Sequence, residues 1–291
     1  MVPTTASGAK TPPLAVRTVN ALRAEVARWH TAGERVGLVP TMGALHAAHL
    51  SLIERIAGEV DRIVVSIFVN PTQFGAGEDF DRYPRDERRD LEALAATRTD
   101  LAYLPEPAEM YPAGFATHVH PEGPAVGLEG THRPGHFDGV ATVVVKLFQQ
   151  TRCAAAVFGE KDYQQLAVLR RVVADLDLPV RILAAPTLRE ADGLALSSRN
   201  AYLDEAQRAI APVLYRTLRD LAGRAEQGDA LRALETAGQD ALIAAGFDAV
   251  DYVAFRDGNS LDAVDRLEGG VRLLAAAHLG ETRLIDNIAV G

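Results

Sequence analysis

His46 and His49 stand three residues apart, directly after Pro40-Thr41-Met42-Gly43-Ala44-Leu45. Residues at that spacing share one face of a helix, so two imidazoles placed there can act together. A helix start adds unpaired backbone N–H groups and positive dipole, which suits an anionic phosphate. Further along, Lys161 lies between Gly159-Glu160 and Asp162, and Ser197-Ser198-Arg199 sets two hydroxyls beside a guanidinium. The lysine supplies a compact positive charge. The serines and arginine form a donor fork for a terminal phosphate pair. Displacement at phosphorus asks mainly for positioning and for neutralisation of spread negative charge, which these groups supply. The two histidines alone also fit a bare surface helix or a metal site, but a third ligand at a persuasive spacing is missing. None of these stretches is a Gly-rich Walker or dinucleotide loop. Gly8-Ala9-Lys10-Thr11 imitates the end of a P-loop but lacks the upstream glycine, strand and following helix, and is set aside.

The elements that must position these groups are written in the hydrophobic pattern. Arg35–Val39 is a short apolar run, and Leu50, Leu52, Ile53 and Ile56 follow at helical spacing. A strand therefore enters a loop containing Gly43 and leaves it as a helix whose first turn carries the histidines. Ile63–Val69 is a second buried-strand run that stops at Asn70-Pro71-Thr72-Gln73-Phe74-Gly75. In open parallel sheets the carboxyl ends of strands are where ligands collect. Val19–Gly33, Glu87–Thr97 and Val140–Gln150 read as helices, Leu101–Leu104 as a strand, and Thr117–His120 as an edge strand or hairpin arm. In that arm His118 and His120 are alternating surface positions. Ala154–Phe158 breaks at Gly159 into Glu160-Lys161-Asp162, where an amphipathic helix begins, and Val180–Leu183 is a further strand. Strands that are apolar throughout, alternating with helices, indicate a parallel α/β sheet covered on both faces. Beyond Thr187 the composition changes. Arg189–Gly193 reads as a mobile polar link, long helices are expected near 204–226 and 229–245, and short strands near 250–256, 271–277 and 282–288. The expected organisation is a tail over 1–13, a Rossmann-like unit over 14–187, and a smaller α+β unit over 188–291 that closes over the phosphate-facing loops.

Composition narrows the class. The chain has 291 residues, 48% hydrophobic and 24% charged, as expected of a globular protein with one large or two modest domains. A formal net charge of −9 does not favour nucleic acid. No apolar run reaches the roughly 18 residues that span a bilayer and no signal peptide is seen. Cys153 is the single cysteine, which excludes an internal disulfide and points to a reducing cytoplasm. Its place at the start of an apolar strand marks it as a buried bystander.

Taken in order, several stretches resemble the pantoate–β-alanine ligase (pantothenate synthetase) family of the His-x-Gly-His nucleotidyltransferase superfamily. They are Pro40–His46, Ser66–Pro71, Gln73-Phe74, Tyr83-Pro84-Arg85, Arg133–Phe137, Gly159–Leu166, Asp192–Asn200 and Leu284–Asn287, spanning about 14 to 290. The resemblance implies a two-step, ATP-dependent ligation. Pantoate carboxylate attacks the α-phosphorus to give pantoyl adenylate and pyrophosphate, and the β-alanine amine then displaces AMP. It further implies that Met42, Gly43, Ala44, Leu45, His46, Ala47, Ala48 and His49 line the nucleotide. Gly159, Glu160, Lys161 and Asp162 are implied next to it, with Leu188 near the adenine and Leu196, Ser197, Ser198 and Arg199 on the outer phosphates. His46, His49, Lys161, Ser197, Ser198 and Arg199 become the catalytic candidates, and Gln73 and Gln165 the pantoate-holding amides, Gln73 also serving β-alanine. Mg²⁺ is implied with the ATP phosphates, held largely by phosphates and water and with no protein ligand named, and the assembly is implied to be a homodimer.

The family's glycine between the two histidines is Ala48 here. If the glycine permits close approach to ATP, the added methyl weakens binding; in ordinary helical geometry it stabilises the helix instead. Two competing readings follow. One is an adenylyltransferase for another small acid or phosphate ester, for which lysine or arginine would be expected at Gln73 and Gln165. The other is a catalytically silent nucleotide-binding protein. Arg133 and His136 either bind substrate or fix their loop.

Overall fold

The computed structural model describes residues 12–75 and 77–291. Most of the expected tail, with Gly8–Thr11, lies outside the described residues. Strands β1 (Leu14–Val16), β2 (Val36–Thr41), β3 (Arg62–Ile67), β4 (Leu101–Tyr103), β5 (Ala155–Gly159) and β6 (Arg181–Ala185) form a parallel sheet in the order β1-β4-β3-β2-β5-β6. Helices α1 (Val19–Thr31), α2 (Ala47–Ala57), α3 (Glu87–Ala95), α4 (Pro107–Met110), α5 (Glu129–His132), α6 (His136–Thr151) and α7 (Tyr163–Asp175) connect them. Neighbouring strand residues point to opposite faces. Leu38, Val64 and Ala156 accordingly pack with α1, α6 and α7, while Val39, Val65 and Val157 pack with α2 and α3. That two-sided covering is why the middle stretches of the strands are apolar without alternation.

From β2 the chain steps outward through β3 and β4, then returns to lay β5 and β6 on the other side of β2. The loops leaving β2 and β5 therefore part at the switch point, the crevice where doubly wound sheets bind ligands. After β6 come α8 (Glu205–Ile210), α9 (Val213–Glu226), α10 (Leu231–Ala244) and an antiparallel sheet of β7 (Ala249–Asp257), β8 (Val271–Leu279) and β9 (Thr282–Val290). One face of this sheet packs on α9 and α10 through Leu218, Leu234, Phe255 and Leu273. The other packs Tyr252, Ala254 and Leu274 against Leu128 and Tyr163 of the parallel-sheet portion.

Several local expectations are corrected. Thr117–His120 is not a strand: the Val119 N–H donates to Thr142 Oγ1 at 2.9 Å, and His120 pairs with Asp138 at 2.9 Å. The long helix over 204–226 divides into α8 and α9 around Pro212, which has no N–H to continue the ladder. The helix after β5 begins at Tyr163, since Glu160–Asp162 is a 3₁₀ turn. Arg189–Gly193 is anchored rather than a free link. Arg189 makes a two-point pair with buried Asp286 at 2.6 and 2.8 Å and stacks 3.8 Å from the Tyr215 ring centre. Glu190 and Asp192 both pair with Arg208, at 2.6 and 2.7 Å. Cys153 is buried in the core, and that burial pushes its thiol up to about 12.

Candidate active site

The β2 loop is shaped by a buried carboxylate. Asp90, on α3, accepts from Leu45 N–H at 2.7 Å and Ala44 N–H at 3.0 Å. Ala44 sits at φ 50 and Gly43 at φ 83, where a Cβ would fall 2.8 Å from Asp90 Oδ2, so a glycine is needed there. Burial holds the Asp90 carboxyl above its usual range, and the two amides offset this only in part. The loop delivers His46 as the N-cap of α2 and His49 into its first turn. The His46 N–H points at His49 Nδ1 at 3.3 Å, so neutral His49 carries its proton on Nε2. Burial, with help from His46 and Lys161, lowers the His49 pKa to about 3. His49 is thus a neutral donor. Burial and Lys161 also lower the His46 pKa, and its Nδ1 is buried with no partner among the described residues, a hydrogen-bonding capacity left for a ligand.

At the end of β5, the 3₁₀ turn carrying Lys161 is held from the antiparallel sheet. Asn287 donates to Glu160 O and Lys161 O, both at 2.9 Å, and Arg272 reaches Glu160 at 3.1 Å. Arg272 also stacks 4.0 Å from the Tyr163 ring centre, and Tyr163 Oη donates to Gly258 O at 2.7 Å. Lys161 has Asp162 as its ion-pair neighbour at a loose 3.7 Å, which leaves its ammonium available.

Two cavities of about 180 Å³ each lie side by side at the switch point. The first is bounded by His46, Ala48, Gly159, Lys161, Leu188, Leu196 and Ser197–Arg199. The second is walled by Val140, Val143, Val144, Leu147 and Phe158, with Gln73 facing in. Met42, His49, Tyr83, Asp162, Gln165 and Arg199 line both. A chamber lined by imidazoles, Lys161, Arg199 and hydroxyls therefore opens beside an apolar one equipped with amides. Gln165 makes no hydrogen bond to the described residues through its amide, whereas Gln73 is fixed. Its Oε1 accepts from Asn70 at 3.0 Å, its Nε2 reaches Met42 Sδ at 3.2 Å, and its backbone O accepts from His136 Nδ1 at 2.9 Å. Gly139 lets α6 approach this turn closely, since a Cβ there would lie 2.2 Å from Thr72 O.

Of the residues expected on the nucleotide, Met42, His46, Ala48, His49, Gly159, Lys161, Asp162, Leu188, Leu196, Ser197, Ser198 and Arg199 line the first cavity. Gly43, Ala44, Leu45, Ala47 and Glu160 do not. Ala44 and Leu45 shape the loop through Asp90, Glu160 answers Arg272, and Ala47 is exposed. Ala48 occupies a regular position in the first turn of α2, so its methyl requires no unusual backbone.

The fork of Arg199 is already spent. Its Nε and Nη2 donate to Asp79 Oδ2 and Oδ1 at 2.9 and 2.8 Å. Burial pushes the Asp79 carboxyl up, but the bond and charge of Arg199 more than offset it and the net shift is downward. Ser198 leans on Ala44 O at 3.4 Å and Ser197 Oγ accepts from Arg199 N–H at 3.3 Å. Arg133 and His136 fix their loop as well as lining the second cavity. Arg133 chelates Glu78 through Nε at 2.8 Å and Nη2 at 2.7 Å, and its Nη1 donates to His136 Nε2 at 3.1 Å. Sequence reasoning missed Asp79, Asp90 and Asn70. Asn70 and Tyr83 fall inside the family motifs and carry a usable signal; nothing in their own neighbourhood marks Asp79 and Asp90.

Sheet order and paired chambers define a class: a Rossmann-like α/β protein with two adjoining chambers at its switch point and a smaller antiparallel sheet beside them. The profile of the pantoate–β-alanine ligase family matches residues 14–289. The pantothenate synthetase of Rhodospirillum rubrum is 57% identical, covering 94% of this chain and 98% of its own. That of Paramagnetospirillum magneticum is 56% identical, covering 94% and 97%. A crystal structure of pantothenate synthetase from Thermus thermophilus superposes with a TM-score of 0.89 at 49% identity, covering 94% of this chain and 98% of that one. The Francisella tularensis pantoate–β-alanine ligase, complexed with β-γ ATP and β-alanine, gives 0.81 at 32% identity, covering 95% and 97%. The chain belongs to the pantoate–β-alanine ligase family.

Proposed function

We propose that the two chambers carry out the ligation of pantoate with β-alanine through a pantoyl adenylate. ATP occupies the chamber bounded by His46, Lys161 and Ser197–Arg199, and pantoate the apolar chamber with Gln73 and Gln165. A pantoate carboxylate oxygen attacks the α-phosphorus, the bond to the bridging oxygen breaks, and pyrophosphate leaves. The β-alanine amine then attacks the acyl carbon, AMP departs, and one proton is released with formation of the amide. The observation carrying this reading is the convergence of the β2 loop, the β5 turn and the Ser197–Arg199 turn on one cavity at the switch point.

Within it, Lys161 neutralises the α-phosphate, and neutral His49 donates Nε2–H to an oxygen that gains charge as pyrophosphate leaves. Gln165 uses its free amide to hold pantoate hydroxyl or carboxylate, and the pinned Gln73 orients the other end. Asp162 suits the ribose hydroxyls and Leu188 the adenine edge. Mg²⁺ enters with the ATP phosphates, held by phosphate oxygens and water. Among the described residues no group of three or more His, Cys, Asp or Glu is placed to hold a metal ion. The portion over 188–291 closes on that over 14–187 to keep water from the adenylate. We further expect a homodimer acting in the cytoplasm; among the described residues no helix is long and apolar enough to cross a membrane.

The deciding experiment is exchange of labelled pyrophosphate into ATP. Exchange that requires pantoate is expected, and Lys161→Ala should lower its rate by about 10²-fold or more. Exchange driven by other acids but not by pantoate overturns the substrate assignment.

A further inference from the structure

A third cavity, of about 230 Å³, lies between the segment over 77–82, the Ser197–Asn200 turn and strand β9. It meets the two chambers at their junction: Asp162 and Arg199 line all three cavities, and Lys161 lines both this one and the nucleotide chamber. A fourth cavity, of only about 30 Å³, also reaches Lys161, Asp162 and Gln165. With pantoyl and AMP filling the two chambers, the cavity of about 230 Å³ is the roomier of the two spaces left at the place where acyl group and phosphate are joined.

Its wall alternates in sign. Arg133 pairs with Glu78 at 2.7 Å, Arg199 with Asp79 at 2.8 Å, and Arg283 with Glu129 at 2.6 Å, and all of these side chains line the cavity. A triphosphate or pyrophosphate brought here meets carboxylates beside every guanidinium. A small zwitterion, with a carboxylate at one end and an ammonium at the other, can exchange partners with such pairs one charge at a time. The mouth is marked by Arg82 and Glu281, an exposed pair at 2.9 Å.

We propose that this cavity is the entry chamber for β-alanine, through which the amine reaches the adenylate while pantoyl and AMP stay enclosed. The proposal rests on the ligase reading.

Cys153 is buried, so a surface thiol can be modified selectively. The test uses Glu281→Cys, and separately Arg82→Cys, assayed before and after reaction with a bulky maleimide or a small methylthio reagent. A plug installed after folding removes the question of whether the variant folds. The bulky adduct is expected to raise KM for β-alanine by about tenfold or more, with pantoate-dependent pyrophosphate exchange kept within about twofold. The small adduct should have little effect on either. An unchanged β-alanine KM with both bulky adducts, or ligation and exchange falling in parallel, overturns the proposal. Loss of pantoate-dependent exchange in the unmodified protein would instead defeat the ligase reading.

Discussion

Arg199 faces Asp79 across 120 residues of chain, with two parallel N–H···O bonds of 2.9 and 2.8 Å. The arginine expected to grip the outer phosphates is thus already paired, and on the proposed placement ATP would share it or displace the carboxylate. The pair holds the guanidinium in place and also tempers its pull.

Removing the arginine alone therefore has two effects. On the proposed placement of ATP, Arg199→Ala takes away a phosphate donor and leaves the Asp79 charge uncompensated beside the triphosphate. The double variant Asp79→Ala/Arg199→Ala is expected to bind ATP about fivefold more tightly than Arg199→Ala, a gain of about 1 kcal/mol that Asp79→Ala alone does not give. ATP titrations of the four proteins in the cycle measure it. Strict additivity would refute the idea.

Asp90 touches no ligand chamber of the two-step reaction but sets the geometry of one. Asp90→Asn keeps the shape while presenting an NH₂ to one of the two amides of Ala44 and Leu45. KM for ATP is expected to rise about tenfold, with KM for pantoate unchanged. Steady-state kinetics with each substrate varied in turn would show the split. Equal effects on both substrates would mean a general loss of structure.

Ala48 departs from the family pattern without straining the backbone. Ala48→Gly should lower stability by about 0.5–1 kcal/mol, the helical cost of glycine, and leave KM for ATP within about twofold. Urea unfolding and ATP kinetics check the two halves. A large gain in ATP affinity would show that the methyl obstructs the site.

His136 is buried, and burial with Arg133 lowers its pKa to about 4 despite the Gln73 carbonyl. The unfolded chain binds this proton near pH 6.5. Between those values the unfolded state holds more protons, so stability rises with pH and is lost as pH falls from about 6.5 towards 4. From pH 7 to pH 5 the loss attributable to His136 is about 2 kcal/mol. His136→Asn should flatten the pH dependence by that amount in urea unfolding at the two pH values. An unchanged slope would place the acid sensitivity elsewhere.

Much of this architecture could be read from local pattern. Val36–Val39 and Ile63–Ile67 are apolar without alternation because both faces of the sheet are covered, and that is visible in sequence. β1 was not expected, since three residues at a sheet edge carry no periodicity. Pro212 should have divided the long helix, because a missing N–H is a local fact. The partners of Arg199 and of the Ala44 and Leu45 amides were out of reach for a different reason. Each is a carboxylate distant in sequence, and nothing in its own neighbourhood tells a structural Asp79 or Asp90 from a solvated one. The apparent link over Arg189–Gly193 misled in the same way: its charges are polar in composition, yet Asp286 and Arg208 take them up only once the chain is folded.

The Asn287 side chain binds two successive carbonyls of the Lys161 turn, and Arg272 adds a third tie from the same sheet. Heat or denaturant that loosens β8 and β9 frees the lysine's support while the parallel sheet keeps its own hydrogen bonds. A change that slackens the β8–β9 edge should accordingly abolish activity even where it leaves the helical circular dichroism signal intact.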